Sequence, residues 1–181
     1  MGPLMKYAMK PMLETGLSSL KEYAEKQPKP ANVRIIDTKP ISGLAIYDSA
    51  RVEDIGSLLE KNYGKLMSYI MKHSYPMSGA PLAVYHNWDP KGYIRISAVI
   101  PLHGKFKGKG DIKSFNIESG KAVFLEHFGG YDNGDSHWAI EDYIKDFNIE
   151  TKDFIWQEYI TDPAAEPDTA KWQTNIYYPI K

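Results

Sequence analysis

The run Leu-Ala-Val-Tyr-His-Asn-Trp-Asp-Pro at 82–90 is answered later in the chain by Ile-Trp-Gln-Glu-Tyr-Ile-Thr-Asp-Pro at 155–163. Each is a short apolar stretch closing on Asp-Pro, which reads as a strand running into a turn. A second landmark follows each: Val99-Ile100-Pro101 after the first and Tyr177-Tyr178-Pro179 after the second. The intervening loop is five residues longer the second time, with 17 residues from Leu82 to Val99 and 22 from Ile155 to Tyr177.

Working outward, the same order of elements precedes both runs. Val33 to Asp48 reads as two strands broken near Lys39-Pro40. A helix of roughly 20 residues follows, with Val52, Ile55, Leu59, Leu66, Met67 and Ile70 on its apolar face. Strands at 82–87 and 93–100 complete a β-α-β-β unit. After a Gly/Lys-rich loop at 104–110 and a strand at 111–117 come a strand at 121–128, a Gly-rich turn at 129–134 and a helix at 135–147. Ile140, Tyr143, Ile144 and Phe147 share one face of that helix; strands at 154–160 and 173–178 close the second unit. The expected fold is α+β, with tandem duplicated β-α-β-β modules, related by pseudo-two-fold symmetry, forming a central ligand cleft. At the N-terminus, Met12, Leu13, Leu17, Leu20, Tyr23 and Ala24 predict a helix over 11–26, and Gln27-Pro28-Lys29-Pro30 ends it. The expected organisation is thus 1–31 as helix and linker and 32–181 as the main domain.

Composition narrows the function. The 181 residues include 22 Lys and Arg against 23 Asp and Glu, a net charge of −1, so there is no cationic face for binding the nucleic-acid backbone. No cysteine is present, which removes disulfides and thiolate metal sites. The five histidines, at 73, 86, 103, 127 and 137, show no HxH, HxxxH or HExxH spacing, and no metal or cofactor is expected. No apolar run approaches the roughly 20 residues of a membrane span, and a cytoplasmic protein without membrane contact is expected. Aromatics reach 13 %, with 13 Tyr and 4 Trp, which suggests an interface or a ligand cavity.

Side chains alternate along a strand, so Glu158 shares a face with Phe154, Trp156 and Ile160. A carboxylate there is an edge residue paired with a lysine, or it lies in an aromatic cavity suited to a lipophilic cation. Laying the halves over each other sets Tyr85 against Glu158, and a two-fold axis between them would turn both into one cleft. Trp138 lies roughly 200° from Ile140 around its helix, off the apolar stripe, which suits the wall of a groove. Gly129-Gly130 permits a tight turn that would bring Tyr131 to the mouth of that helix.

Gly79 to Asp89, Gly120-Lys121-Ala122-Val123, His127-Phe128-Gly129-Gly130-Tyr131-Asp132, Trp138, Trp156-Gln157-Glu158-Tyr159 with Asp162-Pro163, and the closing Ile176-Tyr177-Tyr178-Pro179-Ile180 occur in order. Together they resemble the GyrI-like small-molecule-binding domain, also called the AraC-type effector-binding domain, over about 32–181. The resemblance implies capture of hydrophobic, often cationic or planar compounds, with Glu158 at the cleft floor and Tyr85, Trp88, Trp138, Trp156 and Tyr177 around it. In a branch that hydrolyses cyclopropane-containing toxins it implies Glu158 as general base with Tyr131 or Tyr85 as hydrogen-bond donor. A further alternative is a gyrase-inhibitor-like protein. No recognition helix precedes the domain, so direct DNA binding is not expected, and residues 1–30 are expected to serve a homodimer contact or a neighbouring domain.

Overall fold

Strands form where β-branched and aromatic residues collect between turns, and the eight strands among the described residues pair antiparallel in a single sheet. The computed structural model describes residues 32–89 and 91–181, so the helix expected over 11–26 and its linker lie outside the described residues. In chain order the elements are β1 (Arg34–Thr38), β2 (Ile41–Ala50), α1 (Ile55–Lys72), β3 (Leu82–Tyr85), β4 (Ile94–Pro101), β5 (Ile112–Ile117), β6 (Gly120–Phe128), α2 (Gly134–Asp146), β7 (Ile155–Tyr159) and β8 (Gln173–Pro179). Both helices give way to a residue with left-handed backbone, Ser74 (φ 54°) and Asn148 (φ 49°). Val33–Lys181 forms one compact unit.

The sheet runs β1-β6-β8-β7-β3-β4-β2-β5. Only two residues, Lys39 and Pro40, join β1 at one edge to β2, the seventh strand. Glu118 and Ser119 alone join β5, at the other edge, to β6, the second strand. Six strand spacings in a flat sheet measure about 29 Å, whereas a two-residue link spans at most about 11 Å. The sheet therefore has to curl until its ends approach each other. Leu82, Val84, Val99, Phe115, Ala122 and Trp156 fill the inside of the curl, a cluster made entirely of strand residues.

Two helices cover the outside. Leu59, Leu66 and Ile70 of α1 pack on Leu44, Ile46, Ile96, Ala98 and Ile100, while Ile140 of α2 packs on Val123, Leu125 and Ile176. Burial on both faces explains why β3 and β4 read as nearly unbroken apolar runs instead of alternating. Closest approach of α1 is to β4 and β2 and that of α2 to β6, so the central strands β7 and β3 run between the helices.

Leu66 is fully buried beneath α1. Leu66→Ala should cost roughly 2–5 kcal/mol and lower the thermal midpoint by on the order of 10 °C, read by circular dichroism. A shift of under about 2 °C would mean that α1 does not anchor the outer face.

Candidate functional site

β7 pairs with β3 through Leu82↔Glu158, Ala83↔Gln157, Val84↔Trp156 and Tyr85↔Ile155. Cross-strand partners share a face, so Glu158 and Trp156 project into the curl with Leu82 and Val84. Gln157 and Tyr159 project outward with Ala83 and Tyr85. The expectation that Tyr85 and Glu158 meet in one cleft is therefore overturned: the sheet separates them. Tyr85 stands opposite Ile155, an odd number of residues from Glu158, and in a strand an odd step is a change of face.

Inside the curl, Glu158 Oε2 accepts the Tyr177 hydroxyl at 2.9 Å. Trp156, 2 % exposed, stacks flat on Tyr177 with centroids 4.7 Å apart and planes at 11°. These two rings belong to the packed core. Trp156 and Tyr177 stand beside Glu158, in a layer without Tyr85 or Tyr131.

Outside, between the helices, four tyrosines converge, from α1, β3, β7 and the loop between β6 and α2. Tyr159 of β7 meets Tyr131 edge-on at 5.5 Å and Tyr63 of α1 edge-on at 6.5 Å. The hydroxyls of Tyr85 and Tyr159 are in hydrogen-bond reach, and Tyr63 lies close to both. Burial raises the pKa of Tyr63, Tyr85 and Tyr159, and the further upward pushes come from neighbouring tyrosines. The Tyr63 hydroxyl is buried without a hydrogen-bond partner among the described residues. Trp172 stacks on Tyr131 at 5.1 Å, and Trp88 meets Tyr85 at 6.3 Å, so an indole stands at each end of the cluster.

The floor of this cluster is Gln157, 6 % exposed, opposite the small side chain of Ala83. Its amide nitrogen donates to His137 Nε2 at 2.8 Å, and His137 Nδ1–H donates to the Tyr178 oxygen at 2.8 Å. Burial, with a smaller push from His127, lowers the His137 pKa to about 4, so the ring is neutral at pH 7. Three uncharged groups thus hold one another in place beneath the tyrosines.

Of the other expected residues, Tyr131 is half-exposed at the rim. Its place follows from Gly129, whose φ of 143° suits glycine, and from His127 Nε2–H donating to the Gly130 carbonyl at 2.9 Å. Trp88 and Trp138 are 63 % and 67 % exposed. The Glu158–Tyr131 pair needed for hydrolysis is not brought together, because the two stand on opposite faces of β7. Sequence reading missed Tyr63, Tyr159, Gln157, His137 and Trp172. Tyr63 was within reach, four residues after Leu59 and three before Leu66 on the α1 stripe. Open depressions of about 620 Å³ beside Lys65 and Asp111 and about 370 Å³ beside Arg51 and Tyr93 flank α1 away from the tyrosines; the tyrosine cluster is packed by its own rings.

A curled antiparallel sheet carrying two helices, with a packed tyrosine cluster between them, defines an α+β domain. Residues 31–181 match the GyrI-like small molecule binding domain, and the chain belongs to that family. No curated protein matches it. Among solved structures it is similar to EcmrR in its complex with DNA, at 16 % identity and a TM-score of 0.77, covering 98 % of this chain and 67 % of that one. The EcmrR C-terminal domain matches at 16 % identity and a TM-score of 0.73, covering 83 % and 98 %. SAV2435 bound to tetraphenylphosphonium matches at 13 % identity and a TM-score of 0.59, covering 83 % and 94 %. At these identities the likeness is one of fold. No helix among the described residues is long and apolar enough to cross a membrane.

His137 gives the site a pH signature. The unfolded chain takes up a proton at this residue near its ordinary value of 6.5, the folded chain only near 4. Its contribution is complete above pH 6.5, is lost as pH falls towards 4, and totals on the order of 3 kcal/mol. Urea unfolding at pH 7 and pH 4.5 should show wild type losing about 2 kcal/mol more than His137→Gln over that interval. Equal losses in the two proteins would mean that the ring is not held neutral.

Proposed function

We propose that the protein binds lipophilic, planar small molecules that insert between Tyr63, Tyr85, Tyr131 and Tyr159, over the β7–β3 pair. The observation that carries this reading is the convergence of four tyrosines from four separate segments of the chain, one with a buried hydroxyl unpartnered among the described residues. Stacking rewards flat apolar ligands, and an unpaired phenol rewards one with an acceptor atom. Membership of a small-molecule-binding family supports it, and SAV2435, similar in fold, carries tetraphenylphosphonium in its own structure.

A duplicated pair of β-α-β-β modules fits this groove. From the centre of the sheet the strands run β3-β4-β2 one way and β7-β8-β6 the other. A two-fold axis normal to the sheet through the Ala83↔Gln157 pair would exchange Tyr85 with Tyr159, an even offset of 74 residues that keeps both on the outer face. The groove would then lie on the axis, with two tyrosines contributed by each half, Tyr63 and Tyr85 from the first and Tyr131 and Tyr159 from the second.

Binding is favoured over hydrolysis of a strained toxin. Both nitrogens of His137 are engaged, Gln157 is no base, and among the described residues the carboxylate acting on these tyrosines is Asp162, at Tyr131 on the rim. Trp88 and Trp172 flank the cluster and report on it. Titration with planar aromatic compounds should quench tryptophan fluorescence, and Tyr131→Ala should weaken binding by about tenfold while Glu158→Gln changes it by less than about threefold. Absence of quenching with every compound, or a larger effect of Glu158→Gln than of Tyr131→Ala, would remove this reading.

A further inference from the structure

We infer that the groove selects uncharged planar ligands over cations of the same shape, because the floor position that would have to neutralise a cation holds the amide of Gln157. The inference rests on the groove proposed above and specifies the charge of what enters it.

Gln157 is the outward-facing residue of β7 nearest the middle of the sheet, opposite the small side chain of Ala83, and its amide oxygen accepts the Tyr159 hydroxyl at 3.5 Å. The amide is tied through His137 to Tyr178, a relay with no net charge. Around the buried hydroxyls of Tyr63, Tyr85 and Tyr159, the groups that act electrostatically among the described residues are tyrosines. Carboxylates lie nearby but not within. Glu158, one residue along β7, is on the other side of the sheet and engaged by Tyr177. Asp162 acts on Tyr131 at the rim and is exposed, so water and salt screen it. Glu141 is exposed on α2 and acts on Tyr178, beyond the relay.

A fixed cation entering this groove would give up its hydration shell and meet no anion. Tyrosine faces return only part of that loss through cation–π attraction. A neutral heteroaromatic of the same outline keeps the stacking, loses little hydration, and offers an acceptor to the Tyr63 hydroxyl. Discrimination is the difference between the two, and here it comes mainly from what the site withholds from the cation. Placing a carboxylate at position 157 should invert it.

Acridine and 10-methylacridinium share a ring system and differ by a fixed charge. Their dissociation constants at pH 8 would be measured by fluorescence titration of the full chain, for wild type and for Gln157→Glu, Gln157→Met and Tyr131→Ala. Wild type should bind acridine about tenfold or more tighter than the cation, and Gln157→Glu should strengthen cation binding by about tenfold and reverse the order. Gln157→Met, which adds no charge, should keep the preference for acridine and serves if Gln157→Glu does not fold. Tyr131→Ala should weaken both probes by similar factors. Methylacridinium binding wild type as tightly as acridine or tighter, or an unchanged ratio in folded Gln157→Glu, overturns the inference and leaves the groove standing. Binding of neither probe removes the groove and the inference together.

Discussion

The pairing of β7 with its two neighbours is the constraint on which the rest of the molecule depends. β7 is hydrogen-bonded on both edges, to β3 through Ala83↔Gln157 and to β8 through Trp156↔Tyr177. A slip of one residue would drive Trp156 out of the curl towards the helices and turn Gln157 and Tyr159 into the apolar interior. The Trp156–Tyr177 stack opposes that slip from one side, and the tyrosine packing and the Gln157–His137 bond oppose it from the other. Register here is a statement about chemistry, since it decides whether an amide or a carboxylate looks out between the helices.

The curl gives that choice its consequence. Two links of two residues each draw the ends of an eight-stranded sheet together, so one face becomes a closed core without help from any helix. Only the other face is left for α1 and α2, and they settle over the outer strands, where Leu44, Ile100, Val123 and Leu125 offer apolar ground. The middle of that face is roofed by side chains. Tyrosine suits the task, since its ring can be buried while its hydroxyl finds a polar neighbour, as those of Tyr85 and Tyr159 find each other.

Electrostatics follow from the same geometry. The relay from Gln157 through His137 to Tyr178 satisfies buried polar groups without introducing a charge, which burial at the sheet centre would penalise. The charge nearest in sequence, Glu158, is held by Tyr177 on the far side of the sheet, at the half-buried end of β7. Neighbours in sequence are thereby separated by the thickness of the sheet.

The sequence by itself determined the element order, the two helices, the strand-rich body over 32–181 and the family resemblance, because periodicity and turn residues are local signals that each segment carries within itself. The alternation that set Trp156 beside Glu158 was equally legible. What the sequence could not supply was the partner of each strand, and hence which of two alternating faces turns towards the helices: matching the Asp-Pro landmarks set Tyr85 against Glu158, whereas the backbone pairs Tyr85 with Ile155 and Leu82 with Glu158. Tyr63, His137 and Trp172 joined the site only when α1, α2 and the β7–β8 loop were packed over β7, contacts between residues up to 96 positions apart (Tyr63 to Tyr159). Tertiary structure alone decides such a site, because side-chain direction in a strand is fixed by non-local hydrogen bonds rather than by the residues themselves.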